Sequence, residues 1–166
     1  MIKAFKPIVY SSSVILFLGT MPSEKSLLKE EYYGNPTNAF WKLLADVFEQ
    51  DHFKSYPEKI NFIKNHNLAL WDVLATCERS GSLDSNIKNP LANNFEAFFK
   101  TYPNIQYLFF TSKNAYILYR KYVGNFYNLN YTILPSSSGA YAVMGFNDKL
   151  EHWKLIKQVH EKLTKK

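Results

Sequence analysis

Four segments of the chain are almost continuously apolar, and polar or amphipathic segments separate them. The apolar segments are SVILFLG at 13–19, LALWDVL at 68–74, IQYLFFT at 105–111 and NYTILPS at 130–136. Strands that are covered on both faces have this pattern, whereas half-exposed strands alternate between apolar and polar residues. The pattern therefore predicts four buried strands.

The segments between these strands place apolar residues at helical spacing. Helices are predicted at 38–49, 56–65, 95–101, 112–123 and 148–163. Strands that alternate with helices form a parallel sheet with helices on both of its faces. The sequence therefore predicts an α/β fold. Because no repeat, low-complexity segment or linker interrupts the pattern, residues 1–166 are predicted to form a single domain.

Composition is typical of a globular protein and favours an anionic partner. Hydrophobic residues make up 46% of the 166 residues and charged residues 20%, so a core can form without disulfides or metals. The net charge is +6 and the pI is about 9.2, from lysines scattered along the chain. Nucleic acid is the commonest partner of a basic surface, and a lysine-rich soluble surface is the alternative.

Few residues are suited to redox or metal chemistry. Cys77 is the single cysteine, so neither an intramolecular disulfide nor an iron–sulfur cluster can form, and a cytoplasmic protein is expected. Cys77 is interpreted as a buried side chain. The histidines show no short ligand spacing, and His152 and His160 are predicted to share one helix surface, so no metal is expected. VILFLG is too short to span a membrane, and the N-terminus lacks signal-peptide features.

Polar loops that contain glycine and serine follow three of the predicted strands. They are GTMPSEKS, TCERSGSLDSN and PSSSGAYAVMGFN, and a fourth loop, YYGNPTN, continues from the first. In an open α/β sheet, ligands bind at the carboxyl edge of the strands. The sequence therefore places the functional site in these loops.

The first and last of these loops have groups that can bind phosphate. Pro135 ends its strand, and the three serines and Gly139 that follow offer hydroxyl and backbone N–H groups with little bulk. An ordinary polar loop is the alternative for this segment, LPSSSGAYA at 134–142, which we call the serine loop. In GTMPSEKS, Pro22 and Ser23 could hold a phosphate, and Ser23 or Ser26 could cap the next segment. The Gly-Lys-Ser/Thr ending of a Walker loop is missing.

The loop YYGNPTN leads into the helix predicted at 38–49. Asn35 or Asn38 could cap this helix. Phe40 and Trp41 begin its apolar face and are predicted to belong to the core. Tyr33 lies in the loop near the carboxyl edge of the sheet, where an aromatic ring can stack on a flat ligand such as a base.

Asp72 stands inside an apolar strand, where an ionised carboxylate is costly unless it is paired or hydrogen-bonded. Pairing with Arg79 or Lys113 would give Asp72 a structural role. A hydrogen bond from an N–H group of a ligand is the alternative. The residues alone leave both interpretations open.

Five segments occur in one order: GTMPS, YYGNPTNAFW, LWDVLATCERSGSLDSNI, FFTSKNA and LPSSSGAYA. Together they resemble the hypoxanthine-DNA glycosylases, a branch of the uracil-DNA glycosylase superfamily, and the similarity extends from about residue 14 to residue 153. The segment 70–87 and the NPTNAFW box are specific to this branch. The resemblance implies a three-layer α/β/α fold around a four-stranded, mainly parallel sheet.

The resemblance also implies a monofunctional DNA repair glycosylase that needs no cofactor. Such an enzyme flips a damaged nucleotide, here deoxyinosine, into a pocket at the carboxyl edge of the sheet. Water then cleaves the N-glycosidic bond, which releases hypoxanthine and leaves an abasic site. The expected partner is DNA, as a damaged duplex or single strand, and the protein is expected to be a monomer.

The matched motifs imply roles for individual residues. GTMPS resembles the first superfamily motif, where other branches have a catalytic Asp or Asn and this chain has Met21. The hypoxanthine branch relies instead on the asparagine of its PxNxFW box, which is Asn38 here. The usual His before that Pro is replaced by Asn35. Tyr33 matches the ring that stacks on the flipped base, and Asp72 lies near a base-reading position.

The remaining implied contacts are with the base and the DNA backbone. Gly19 and Met21 are placed beside the base. The serine loop resembles the second superfamily motif, which enters the minor groove and contacts phosphates. Tyr141 is a candidate for filling the gap that the flipped base leaves. The implied DNA-binding residues are Pro22, Ser23, Ser136, Ser137, Ser138, Gly139 and Tyr141.

The chemistry of these residues suits glycosidic-bond cleavage, whose transition state is oxocarbenium-like. Asn38 could orient water through its carbonyl or stabilise the departing purine anion through its NH2 group. An Asp72 carboxylate would accept the N1–H of hypoxanthine and repel the N1 lone pair of adenine. Uracil, xanthine or mispaired bases as better substrates, and a noncatalytic nucleic-acid-binding domain, are the alternatives.

Overall fold

The computed structural model of the chain describes residues 1–165. Its strands are β1 (Ile2–Lys3), β2 (Ile15–Gly19), β3 (Leu68–Asp72), β4 (Leu74–Glu78), β5 (Lys88–Ala92), β6 (Tyr107–Phe110) and β7 (Asn130–Ile133). Its helices are α1 (Glu24–Lys29), α2 (Phe40–Val47), α3 (Tyr56–Asn65), α4 (Phe95–Thr101), α5 (Lys113–Tyr122), α6 (Phe146–Trp153) and α7 (Leu155–Thr164), with a 3₁₀ helix at Asp84–Asn86.

The central sheet contains four parallel strands in the order β3-β2-β6-β7. The register pairs Gly19 with Asp72 and Leu18 with Phe110, so these strands end along the same edge of the sheet. The four predicted strands and their parallel arrangement are confirmed, although each strand is shorter than predicted. The helices predicted at 56–65 and 95–101 are also confirmed.

Helices cover both faces of this sheet. Ile15 and Phe17 of β2 pack with residues of α2, α3, α6 and α7, whereas Leu16 and Leu18 pack with residues of α4 and α5. All four side chains are fully buried. A strand that is covered on both faces needs apolar residues at every position, which explains the continuous apolar run. The three-layer α/β/α fold is therefore confirmed.

The edge strand β7 differs from its prediction as a buried strand. Tyr131 is 40% exposed and Ile133 is 39% exposed. β7 has a sheet neighbour on one side only, whereas the free edge of the other outer strand, β3, is covered by Ile8, which exchanges two backbone hydrogen bonds with Leu70. The chain becomes buried again at Leu134, directly before the serine loop.

A second, antiparallel sheet has the order β1-β4-β5 and was not predicted. Part of the segment TCERSGSLDSN, interpreted as a loop, is the end of β4. The pairing of β4 with β5 contains register shifts, and β5 includes Pro90 and a left-handed Asn89, so neither strand has a regular strand pattern in sequence. Cys77 lies on β4 and is buried, as expected.

The helix predicted at 148–163 is two helices, α6 and α7, which meet at Lys154. Trp153 at the end of α6 is fully buried, and its indole N–H donates to the carbonyl oxygen of Pro135 at 3.0 Å. This contact holds the end of α6 beneath the serine loop. The prediction that His152 and His160 share one helix surface is therefore wrong, because they lie on different helices.

Candidate active site

A cavity of about 640 Å³ opens at the carboxyl edge of the central sheet. The predicted loops form its walls, together with the start of α5. Every residue of the predicted site lines it: Gly19, Met21, Pro22, Ser23, Tyr33, Asn38, Asp72, Ser136, Ser137, Ser138, Gly139 and Tyr141. The parallel register causes this convergence, because loops that follow neighbouring parallel strands meet at one edge.

Two hydrogen bonds with backbone groups of nearby residues fix the position of Asn38. Its side-chain oxygen Oδ1 accepts the N–H of Phe40 at 2.9 Å, and its N–H donates to the carbonyl oxygen of Asn35 at 2.9 Å. Helix α2 begins one residue later than a cap at Asn38 would require, and Ala39 provides no side-chain cap. The fixed carbonyl leaves the Asn38 NH2 group available to a ligand in the cavity.

The loop that carries Asn38 is pressed against the serine loop. The N–H of Ala39 donates to the carbonyl oxygen of Ser137 at 2.8 Å. A Cβ atom at Gly139 would lie 2.8 Å from the backbone oxygen of Thr37, so a side chain there would push the two loops apart. Glycine at this position therefore lets the predicted DNA-binding loop contact the loop of the predicted catalytic residue.

Tyr33 forms a fixed aromatic wall. Its ring stacks on Phe40 with centroids 3.9 Å apart and an angle of 8° between the rings. Its hydroxyl lies 3.1 Å from Oγ1 of Thr111, and its backbone φ of 53° is left-handed, which costs a tyrosine about 1–2 kcal/mol. Burial raises the pKa of the Tyr33 phenol, so the hydroxyl stays protonated. Phe40 covers one face of the ring, and Tyr33 also lines the cavity.

Asp72 is the last residue of β3 and is only 4% exposed. A Cβ atom at Gly19 would lie 2.6 Å from Oδ1 of Asp72, so glycine on the neighbouring strand leaves room for the carboxyl group. Oδ2 is buried and has no hydrogen-bond partner. Within residues 1–165 Asp72 forms no ion pair with Arg79 or Lys113, so the structural pairing considered from sequence is absent.

The electrostatic surroundings of Asp72 bring its pKa close to neutral pH, so the protonated and ionised forms are both populated there. Burial raises the pKa of the Asp72 carboxyl from 3.8 to about 7, the Asp84 carboxylate contributes to this rise, and the Arg79 guanidinium opposes both effects. A buried carboxyl group with an unpartnered oxygen is costly for stability. Such a group at the wall of a cavity indicates a ligand site.

Three residues of the same region were not singled out from sequence as site residues: Thr20, Arg79 and Asp84. Oγ1 of Thr20 and Nη1 of Arg79 are buried without hydrogen-bond partners. Arg79 donates through Nη2 to the carbonyl oxygen of Pro22 at 2.6 Å and so joins the end of β4 to the loop after β2. Asp84 lines the cavity beside Thr20. Asp84 could have been noticed in the sequence, because it is a carboxylate inside the branch-specific segment 70–87.

The serine loop contains both accessible and inaccessible groups. Ser137 is only 2% exposed, and its carbonyl oxygen accepts the N–H of Ala39, so it supports the loop from inside. Ser23 accepts the N–H of Ser26 and caps α1, as the sequence suggested. Tyr141 lies with its ring 5.4 Å from Nζ of Lys149. Val143 is 91% exposed at the tip of the segment that follows.

Lys149 of α6 lies directly beneath the serine loop. It is 6% exposed, and its Nζ donates to the carbonyl oxygen of Ser138 at 3.3 Å. Burial lowers the pKa of the Lys149 ammonium. In the part of the chain that the structure describes, no carboxylate pairs with it. The sequence pattern of α6 gave no signal for this buried cation.

Among residues 1–165 no group of three or more His, Cys, Asp or Glu side chains is arranged to hold a metal ion. No helix in this range has both the length and the apolar character that a membrane crossing requires.

The three-layer α/β/α fold and the cavity at the carboxyl edge of its central sheet define a uracil-DNA glycosylase-like protein. The fold is similar to the solution NMR structure of a Methanosarcina acetivorans protein provisionally assigned as a uracil DNA glycosylase, with a TM-score of 0.79 and 30% sequence identity. The similarity covers 96% of this chain and 98% of that chain.

The sequence comparison specifies the branch. A hypoxanthine DNA glycosylase from Methanosarcina acetivorans is 32% identical over 141 residues, which cover 83% of this chain and 87% of the relative. One from Methanosarcina barkeri is 32% identical over 114 residues, 68% of this chain and 72% of the relative. The chain therefore belongs to the hypoxanthine DNA glycosylase family, as the resemblance indicated. No protein-family model matches the sequence.

Proposed function

We propose that residues 1–166 form one glycosylase domain that removes hypoxanthine from deoxyinosine in DNA and leaves an abasic site. The observation that carries this proposal is the unpartnered Asp72 carboxyl at the wall of a cavity that Asn38 also lines, in a chain of this family. A cavity of this size can hold a flipped nucleotide. The enzyme is proposed to act on DNA as a cytoplasmic monomer without a cofactor.

Asp72 is proposed to read the base. In its ionised form, Oδ2 accepts the N1–H of hypoxanthine, which satisfies the oxygen that has no partner within the chain. Adenine presents a lone pair at N1, so an ionised Asp72 repels it. Gly19 supports this role, because any side chain at this position would occupy the space that the Asp72 carboxyl group needs.

Tyr33 and Met21 are proposed to shape the base pocket. The face of Tyr33 opposite Phe40 stacks on the purine, and the stack on Phe40 keeps the ring in position without further ordering on binding. Met21 is 8% exposed and supplies an apolar wall. Its thioether cannot accept a proton from water, so the proposed chemistry depends on other groups.

Asn38 is proposed to act on the leaving base. Because its carbonyl oxygen already accepts the Phe40 N–H, its NH2 group is the part best placed to donate. Negative charge develops on the purine as the N-glycosidic bond breaks, and a fixed donor stabilises that charge. This assignment selects one of the two roles that the sequence left open.

The serine loop and the loop after β2 are proposed to grip the DNA backbone. Ser136, Ser138 and Gly139 line the cavity and offer hydroxyl and backbone groups, and Pro22 and Ser23 of the loop after β2 line it as well. Tyr141 packs over Lys149, so the more exposed Val143 is the better candidate for filling the gap in the base stack.

Duplexes with one labelled inosine, uracil or xanthine test the proposal directly. The purified protein should produce alkali-sensitive sites mainly at inosine. Sites mainly at uracil or xanthine would retain the mechanism and replace the substrate. Binding of the duplexes without alkali-sensitive sites on any of them would support a noncatalytic DNA-binding domain instead.

Lys149 provides a prediction about DNA affinity. Lys149→Met should weaken binding to an undamaged duplex about 5- to 10-fold near 0.1 M salt and reduce the slope of log K against log salt by up to about 0.9, because the positive charge that backs the proposed phosphate-binding loop is lost. Fluorescence anisotropy at several salt concentrations measures both quantities.

Two variants control this experiment. Lys149→Arg keeps the charge beneath the serine loop and should keep the salt slope. Lys162→Met removes an exposed lysine of α7 and should change neither quantity appreciably. An unchanged slope in a folded Lys149→Met protein would mean that the Lys149 charge does not contribute to phosphate binding at the serine loop.

A further inference from the structure

We propose that Asp84 is the catalytic carboxylate that holds the attacking water and accepts its proton. This inference rests on the proposed glycosylase function and adds a residue to it. Asp84 begins the 3₁₀ helix after β4 and lines the same cavity as Asn38 and Asp72. The sequence interpretation gave it no role.

Few side chains that line the cavity could accept a proton from the attacking water. Asp72 and Asp84 are the only carboxylates among the lining residues that the structure describes, and no His, Glu or Cys is among those residues. The Asn38 amide is a weak base, and its oxygen is already hydrogen-bonded to Phe40. A proton from the attacking water therefore has two side-chain acceptors available, Asp72 and Asp84.

The two carboxylates lie in different parts of the cavity, which suits them to different roles. Asp72 is 4% exposed at the end of β3, next to Gly19 and the hydroxyl of Tyr33, so it faces the deep wall of the cavity. Asp84 is half-buried at the start of the 3₁₀ helix. A flipped base enters the cavity first, whereas its sugar stays attached to the DNA backbone nearer the mouth. Asp84 is the carboxylate better placed to approach C1′ of that sugar.

The partners of Asp84 leave it able to act as a base. Nδ2 of Asn114 donates to its Oδ2 at 3.4 Å, and within residues 1–165 it forms no ion pair with a lysine or arginine. Burial raises the pKa of the Asp84 carboxyl, which makes it a stronger base than an exposed carboxylate.

Thr20 lies beside Asp84 at the same part of the cavity wall. Its hydroxyl is close enough to lower the pKa of the Asp84 carboxyl, but the two groups fall outside hydrogen-bond geometry, so the buried hydroxyl has no direct partner. A water molecule between Thr20 and Asp84 would satisfy both groups, and buried waters are found where polar atoms lack protein partners. That water would lie at the cavity wall, where a sugar carbon can be reached.

The proposed chemical step conserves atoms and electrons. The water oxygen forms a bond to C1′ while the bond between C1′ and N9 breaks, and the electron pair of that bond leaves with hypoxanthine. One water proton passes to Asp84. The hypoxanthine anion is protonated from solvent, and Asp84 returns its proton to solvent before the next turnover.

Asp84→Ala and Asp84→Asn test this role on an inosine duplex under single-turnover conditions. Both variants should react about 10²-fold more slowly, and their DNA dissociation constants should stay within about 2-fold of the native value. Added formate should accelerate Asp84→Ala at least about 10-fold, because a small carboxylate can occupy the vacated space and accept the proton. Asn86→Ala, in the same 3₁₀ helix, should react at the native rate.

Three results would overturn the inference. A native rate in either Asp84 variant would remove the need for a carboxylate. A slow Asp84→Ala that formate does not accelerate would indicate a structural role. Equal losses of rate and of melting temperature in Asp84→Ala and Asn86→Ala would indicate a disturbed loop. Failure of the proposed function itself is distinguishable, because the native protein would then not cleave at inosine.

Discussion

Asn38→Ala is expected to lower the single-turnover rate of hypoxanthine excision about 10³-fold while the protein still binds DNA. The change removes the proposed donor to the departing base, and loss of one fixed donor of this type costs about 10²–10³-fold in other enzymes. The side chains that line the rest of the cavity are unchanged, so the dissociation constant should change little.

The loss of a backbone contact must be separated from the loss of chemistry. Asn38 accepts the N–H of Phe40, and its removal should lower the free energy of unfolding by about 1 kcal/mol. Asn125→Ala is the matched control, because Asn125 accepts the N–H of Tyr127 at 2.7 Å in the same way and does not line the cavity. Asn125→Ala should keep the native rate. An Asn38→Ala rate within about 10-fold of native would remove Asn38 from the proposed mechanism.

The central sheet was predictable because its signal lies in every residue of a strand. Side chains from Ile15 to Leu18 alternate between two helical layers, so every position of the strand is apolar and the strand is easy to recognise in the sequence. The edge strand β7 was predicted as buried in the same way and is largely exposed. Burial of a strand depends on which strands become its neighbours, and that order is a property of the whole sheet.

The location of the candidate site was predictable for a similar reason. Loops that follow parallel strands share an edge, so Gly19, Asp72 and Ser136 could be grouped before any contact was known. Asp84 and Lys149 were not found, because their environments arise from tertiary packing. Asp84 reaches the cavity through an irregular antiparallel sheet, and Lys149 is buried by a loop that packs over its helix.

Loop contacts that no local pattern encodes also connect the proposed parts of the site. Ser137 accepts the N–H of Ala39, and Gly139 lies against Thr37. A phosphate bound at the serine loop, as proposed, would therefore also order the segment that carries Asn38. The proposed DNA contact and the placement of the proposed catalytic amide are physically linked in this arrangement.

Asp72→Asn is expected to stabilise the protein at alkaline pH and to weaken its choice of base. A carboxyl pKa raised from 3.8 to about 7 in the folded state means that folding opposes ionisation. The cost is absent below the unfolded pKa of 3.8, grows as the pH rises, and reaches on the order of 4 kcal/mol above pH 7. An amide carries no charge at any pH, so this cost disappears in the variant.

Chemical unfolding at pH 4 and pH 8 measures this effect. The stability of Asp72→Asn relative to the native protein should improve by on the order of 4 kcal/mol between these two pH values. Any constant cost of the new NH2 group cancels in this comparison. Asp51→Asn, which removes an exposed carboxylate outside the cavity, is the control for the loss of one negative charge. Equal pH dependence in Asp72→Asn and native protein would mean that Asp72 ionises normally.

The preference for inosine over adenine should also depend on whether the Asp72 carboxyl is ionised. The side-chain amide that Asp72→Asn introduces can donate to N1 of adenine, so the inosine-over-adenine preference of this variant should fall about 10- to 100-fold. A protonated Asp72 can donate in the same way. The native preference should therefore decline as the pH falls below about 7, whereas that of Asp72→Asn should stay flat. Single-turnover excision of both bases across this range decides the point: a native preference that is independent of pH and unchanged in the variant would assign base reading to another group.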